Sequence, residues 1–512
     1  FEKIFYRLVG PDVFQSMIRV ESAATSEDST ETAAALTDYQ SISIPVVSQA
    51  DARLLQDVLE FYDLFAAQNE DRPELQFNSA VAYRHVGDIH LRLGQLDEAR
   101  DAYIRAIQQY KRQATDHEKE IASIRNQLGQ VYANQRMLTA ARDSYSLVIE
   151  ALEKAEGTPR FEDQRWRYEL ARAHDFMGSL GTRQREEGRE AARRNSRSRR
   201  GPEGRRGPEA RRRPPGSRRR DNPRRLAARL HGPSSEERRN HHATAQRLLA
   251  KLIEESPDKS EYKLAKARSC RNFASYLSRS RNQESKDQAP VLVQEAIEIL
   301  EALVDESTQL PHFRFELAET LISIRPSRSD TTESQERADH RAGRLWSNRV
   351  ERAEKILRTL RDKYPTVHSY TEGLARALHE RHHILMRKRE RVLGIATLRE
   401  SIGLLEGLRE RWPANAEYLR TIAERRMAYA GLLERESDPS GLGLNPALEQ
   451  IQKSITEFET FRNAKFASPP GSEQGLVSRY RLMARILDRL GRIDEAEAAR
   501  TKSRQLQEGS GR

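Results

Sequence analysis

The chain is built on a repeat, and the repeat constrains the fold before any single residue does. "YRHVGDIHLRLGQLDEARDAYIRAI", residues Tyr83–Ile107, and "RNQLGQVYANQRMLTAARDSYSLVI", residues Arg125–Ile149, align without a gap at a period of 42 residues. Gly87 falls over Gly129, Ala99 over Ala141 and Tyr103 over Tyr145. Inside each unit the apolar residues recur at i, i+3, i+4 and i+7, the stripe of a helix rather than the alternation of a strand. The glycine belongs on a first helix, at a point where a neighbour crosses too closely for a Cβ, and the alanine twelve residues later does the same on a second helix. The aromatic residue four positions after that alanine shares its face and fills the groove between the helices. Such a pair cannot bury both faces alone, so it must stack on its neighbours.

A second rhythm carries the pattern onward. In "SPDKSEYKLAKA", "YPTVHSYTEGLARA" and "WPANAEYLRTIAER" a proline is followed by Tyr at +5 and Ala at +10: Pro257, Tyr262, Ala267; Pro365, Tyr370, Ala375; Pro413, Tyr418, Ala423. Twelve positions before each proline stands a small residue, Ala245, Ala353 or Ser401, on an apolar-periodic stretch. A proline lacks the N–H that would continue a helix, so each marks the end of one pair and the start of the next. The last unit, "LGRIDEAEAARTKSRQL", repeats the turn of the first, "LGQLDEARDAYIRAIQQ". The reading is about seven helix pairs from Asp51 to Gln507, with loop insertions such as the one that begins at Ile324.

These offsets resemble the tetratricopeptide repeat, and the 42-residue period its longer kinesin-light-chain-like form. The resemblance implies an all-α fold, an α-solenoid wound as a right-handed superhelix of helix pairs, with a concave groove lined by the first helices. It also implies groove positions: Arg84, Asp88 and Arg92 on the first unit, Asn126, Gln130 and Asn134 on the second. Side chains of these types hydrogen-bond a peptide backbone or accept a terminal carboxylate. With "LLQDVLEFYDLFAAQNEDRPELQ" leading into the first pair, the style of the repeats resembles the helical tails of serine/threonine protein kinases of planctomycete-type bacteria. None of the kinase catalytic motifs is present, so a kinase domain would lie upstream of Phe1.

One segment breaks the rhythm. "RRNSRSRRGPEGRRGPEARRRPPGSRRR", Arg193–Arg220, contains no large apolar residue. The chain's net charge of +11 has its source here: Arg185–Arg239 holds 20 Arg against 8 Asp or Glu, a net of +12, which leaves −1 for the remainder. Global basicity therefore says nothing about the folded part. The tract has no aromatic residue for base stacking, and acidic residues recur within it, so nucleic acid is a disfavoured partner. From Gly178 to Ala274 is 96 residues, about two periods, and the tract is read as standing where a helix pair is missing. A compensated frameshift in a GC-rich gene and a disordered low-complexity linker both account for its Arg, Gly and Pro content. The domain reading is thus a partly disordered segment 1–50, an array 51–183, the tract 184–241 and a degenerate array 242–508.

Sites for chemistry are few. Cys270 is the single cysteine, which rules out an internal disulfide, and it reads as a small apolar helix residue. "LHERHHI" satisfies His-Glu-x-x-His with His379, Glu380 and His383, two imidazoles on one helix face that would suit zinc. No third ligand follows it, so the pair reads as part of a repeat helix. His241 and His242 read as a solvated cap beside the tract. No cofactor is expected. The expectation is a non-catalytic scaffold for a protein or peptide ligand, with no membrane span in this chain and a cytoplasmic location, or an extracytoplasmic one if it is the tail of a membrane-spanning kinase.

Overall fold

The computed structural model describes residues 76–180 and 234–509 apart from short connections, together with a few positions between 59 and 68. The segment 1–50 and the tract Arg193–Arg220 lie outside the described residues, and so does the disorder expected of them. The described residues form helices and no strand, arranged as eight successive pairs. In chain order these are α1 (Gln76–Arg92) with α2 (Leu96–Arg112), α3 (Glu118–Asn134) with α4 (Leu138–Glu153), and α5 (Gln164–Ser179) with α6 (Ser235–Glu255). They continue as α7 (Ser260–Ser278) with α8 (Gln283–Glu306), α9 (Pro311–Leu321) with α10 (Glu333–Lys363), and α11 (His368–Arg387) with α12 (Arg391–Arg411). The array ends with α13 (Ala416–Glu436) against α14 (Leu444–Asn463) and α15 (Ser472–Arg489) against α16 (Ile493–Gly509). The fold is an all-α solenoid.

The repeat residues do what their spacing demands. A Cβ at Gly87 would stand 2.6 Å from Cδ1 and Cε1 of Tyr103, and one at Gly129 would run into the Tyr145 ring, with Cζ at 2.6 Å. Each tyrosine of a second helix therefore packs its ring against the glycine of its own first helix. Tyr103, Tyr145, Ala99 and Ala141 are all buried, as are Tyr262, Tyr370 and Tyr418 with Ala267, Ala375 and Ala423 of the proline-spaced units.

The same device overturns the missing-pair reading of the arginine tract. At Gly178 of α5 a Cβ would meet the His242 ring of α6 at 2.8 Å. The glycine and its ring are sixteen residues apart in the first two pairs and sixty-four in this one, so the chain carries forty-eight extra residues inside one pair. The described helices on either side of the tract pair with each other: α5 packs on α6 as α1 packs on α2, and one apolar core unites Tyr145, Trp166 and Tyr168 with Leu249, Leu252 and Tyr262. Period counting failed because a 96-residue gap fits two short repeats as well as one repeat plus an insertion. The boundary at 241 moves accordingly, since α6 starts at Ser235 behind a capping box in which Ser234 and Glu237 satisfy each other's backbone N–H. His242 is likewise no solvated cap; it is fully buried and stacks on Phe273 at 5.1 Å. Replacing residues 183–231 with a six-residue Gly/Ser linker is expected to keep α5 packed on α6 and to stabilise that pair by up to about 2 kcal/mol, because a shorter connection costs less to close. Circular dichroism and thermal melting of the full chain and the deletion check this.

Four of the turns from first to second helix share one geometry. The backbone N–H groups of Gln95, Met137, Glu390 and Arg492 donate to the carbonyls of His90, Tyr132, Leu385 and Leu487, closing the six-residue ring of a left-handed helix stop. In the last pair the left-handed residue is Gly491, at φ +72°; between α11 and α12 it is Arg389, at φ +65°. A side chain is disfavoured there. Arg389→Gly is expected to raise stability by about 1 kcal/mol, read as a higher melting temperature.

Candidate functional site

Contacts between next-but-one helices run along the first helices, α3 with α5, α5 with α7, α9 with α11 and α13 with α15, and the second helices show none of comparable extent among the described residues. The first helices are therefore the more closely spaced layer, and closer spacing on one side is what bends a stack of pairs. Their shared face is the inner face.

Polar bridges join this layer. Asn126 Nδ2 of α3 donates to the backbone carbonyl of Glu169 at 3.1 Å and to its Oε2 at 2.9 Å. Glu169 of α5 is fully buried and also meets Arg172 at 3.0 Å and Arg165 at 2.9 Å. Arg165 reaches across to Glu261 of α7 at 3.3 Å, and Asn272 of α7 donates to Asp175 of α5 at 2.7 Å. Arg268 and Arg271 of α7 clamp Glu316 of α9 at 2.9 and 2.8 Å. Glu319 of α9 pairs with Arg376 of α11 at 2.8 Å, Arg325 with Glu380, and Glu434 of α13 with Arg485 of α15 at 3.1 Å. Partners on successive first helices stand 43 to 57 residues apart in sequence, except between α5 and α7, where the inserted residues stretch the separation to 96 and 97. Burial pushes the Glu169 and Glu316 carboxyls up, but the guanidiniums beside them outweigh it and hold both below the usual carboxylate range, Glu316 at about 2. One turn further on, burial of Glu319 outweighs Arg376 and leaves its carboxyl raised.

Against this geometry the groove positions separate. Asp88 accepts a hydrogen bond from the Tyr103 hydroxyl at 2.6 Å, so it braces its own pair. Arg84 and Asn126 are buried, and Asn126 is spent on Glu169. The Arg92 side chain lies outside the described residues. Gln130 is half-buried, with an Nε2 that finds no hydrogen-bond partner, and Asn134 is exposed. The six positions therefore do not form one row of free donors. The signal that could have exposed the bridges is opposite charge recurring at one repeat length, as in Arg268 and Glu316 or Glu434 and Arg485.

His379 and His383 do come together, Nε2 to Nε2 at 3.3 Å. The rest of a zinc site is missing: Glu380 is engaged by Arg325, and no group of three His, Cys, Asp or Glu suited to a metal occurs among the described residues. Burial, with Arg425 and Arg325 nearby, pushes His379 down to about 2, and burial with Arg325 pushes His383 down to about 4. A cationic setting of this kind opposes a divalent ion. Cys270 is buried, its thiol pushed up to about 12 by that burial, and it packs as the small apolar residue its sequence suggested.

Residues 78–154, which cover nearly all of α1 to α4, match the tetratricopeptide repeat family. These two pairs are tetratricopeptide repeats. No curated protein matches the chain. Among solved structures, a thermophilic tetratricopeptide protein of Thermus thermophilus is 14% identical, over 52% of this chain and 96% of that one, with a TM-score of 0.25. The human IFIT1 dimer with PPP-AAAA is 12% identical over 86% and 95%, TM-score 0.26, and yeast Tom70 is 13% identical over 89% of each chain, TM-score 0.20. Likeness at this level carries no argument about what the chain does. No helix among the described residues is long and apolar enough to cross a membrane.

Proposed function

We propose that the array is a protein-interaction scaffold whose inner face takes an extended peptide or a helical partner, with no chemistry of its own. The observation that supports this most directly is the layer of first helices, closely spaced and joined by polar bridges, which presents a continuous charged and hydrogen-bonding wall. A partner laid along it would exchange water for charge-assisted hydrogen bonds with half-exposed members such as Arg376, while the buried members keep the wall rigid. The tetratricopeptide repeats of α1 to α4 support the same reading.

A photo-crosslinking residue at Asn134, exposed at the end of the first helix α3, is compared with one at Leu147, exposed on the second helix α4. Partner adducts at 134 and not at 147 support inner-face binding. Adducts at 147 alone would overturn it. A kinase-associated setting is the second reading, resting on the Leu54–Gln76 pattern leading into the first pair. Sequencing upstream of Phe1 tests it, and a reading frame there without a kinase domain ends it.

A further inference from the structure

Away from the inner face, where α2 turns into α3 and the end of α4 passes over them, lies a cavity of about 310 Å³. One side is aromatic: the Tyr110 and His117 rings pack 5.1 Å apart. The floor is aliphatic, from Ile121 and Val148, and the charged groups at its rim include Lys111 and Arg125. Arg125 is the unusual member. It is half-buried, and burial lowers its pKa. Among guanidiniums withdrawn further, those of Arg172, Arg268, Arg271 and Arg426 each hold a carboxylate within 3.1 Å, and those of Arg425 and Arg479 hydrogen-bond Ser401 and Ser454. Arg125 makes no hydrogen bond or ion pair with a described residue. Glu118 influences it only at a distance and itself leans toward Arg160 at 3.9 Å. The Tyr110 hydroxyl is also without a hydrogen bond to any described residue.

A guanidinium drawn out of water without a counter-charge costs stability, and an anion entering the space beside it returns that cost as binding free energy. The geometry points to this cavity as a binding site for a small monocarboxylate with an aromatic or short aliphatic body: Arg125 takes the carboxylate, and the body lies between Tyr110 and Val148. The charge balance sets the valence, since Lys111 and Arg125 against Glu118 leave one net positive charge. Polyphosphates would need more cations than that. The size sets the body, because about 310 Å³ is at the small end of ligand cavities, which run from roughly 300 to 1,000 Å³. This site is independent of the inner-face reading, being built from α2, α3 and the far end of α4.

The test is calorimetric titration of the full chain with 3-phenylpropionate and hexanoate, their amides, inorganic phosphate, and N-acetylphenylalanine, whose carboxylate stands for a peptide C-terminus. The expected result is one-to-one binding of at least one carboxylate, with its amide and the phosphate weaker by about ten-fold or more. Tighter binding of N-acetylphenylalanine than of phenylpropionate would name a peptide end as the source; the reverse would name a metabolite-like acid. Arg125→Gln should weaken binding by about ten- to a hundred-fold. Ala151→Phe, which fills the cavity without changing charge, should remove binding while circular dichroism stays that of the parent chain. Equal binding of acid and amide, parent-like binding by either variant, or no heat from any of the carboxylates overturns the proposal.

Discussion

Glu316→Ala is expected to cost about 3–5 kcal/mol, the largest loss of any single substitution considered for this array, because it strands Arg268 and Arg271 in a buried site with no counter-charge. The effect should be local. A repeat array is coupled mainly through nearest neighbours, so hydrogen exchange should quicken in α7 and α9 well before α1 or α16 responds. Glu316→Gln keeps the shape and removes the charge, and it isolates the pH dependence. The carboxyl sits at about 2 in the folded chain, below an unfolded value of roughly 4.3, so its contribution is complete above about pH 5 and is lost as the pH falls from there toward 2. Acid unfolding of α7–α9 should be steep across that window in the parent chain and flatter in Glu316→Gln. Equal acid sensitivity of the two would mean that the clamp contributes little.

The second large effect is steric. Gly129→Val should cost about 3 kcal/mol, because the new side chain takes the space of the Tyr145 ring, which is fully packed and has no open side to rotate into. Gly129→Ala combined with Tyr145→Leu should recover part of the loss, since the shorter side chain vacates the ring's place; a double variant no better than Gly129→Ala alone would show that the ring is not the obstacle. Gly178→Ala extends the test across the insertion. If α5 and α6 are one pair, an added methyl at 178 must displace His242 and destabilise the pair, although the two residues are sixty-four positions apart. Thermal melting with hydrogen exchange on α5 and α6 reads this directly.

The helical part of this fold was legible because helix packing writes itself into local spacing. Gly87, Ala99 and Tyr103 are within one unit, and their burial follows from which side of a 3.6-residue turn each occupies. The proline-spaced tyrosines were legible for the same reason. The candidate groove was legible only in part. Asp88 sits on the expected helix, yet its carboxylate is held by Tyr103, a bond that depends on how the second helix leans back onto the first. Asn126 was given a ligand-binding role and instead holds Glu169 of the next first helix.

By itself, then, the sequence determined the helical fold, the residues that interlock the regular pairs and the place of the arginine tract in the charge balance, but it counted about seven pairs where the described residues form eight. Only the tertiary structure decided that α5 and α6 form one pair around forty-eight inserted residues, that His242 is a core ring, and that Arg125 stands beside a cavity without a partner among the described residues. The physical reason is range. A helix repeats its face every few residues, so burial can be read along the chain, whereas a salt bridge or a cavity between helices is set by distances across the stack that no local period records.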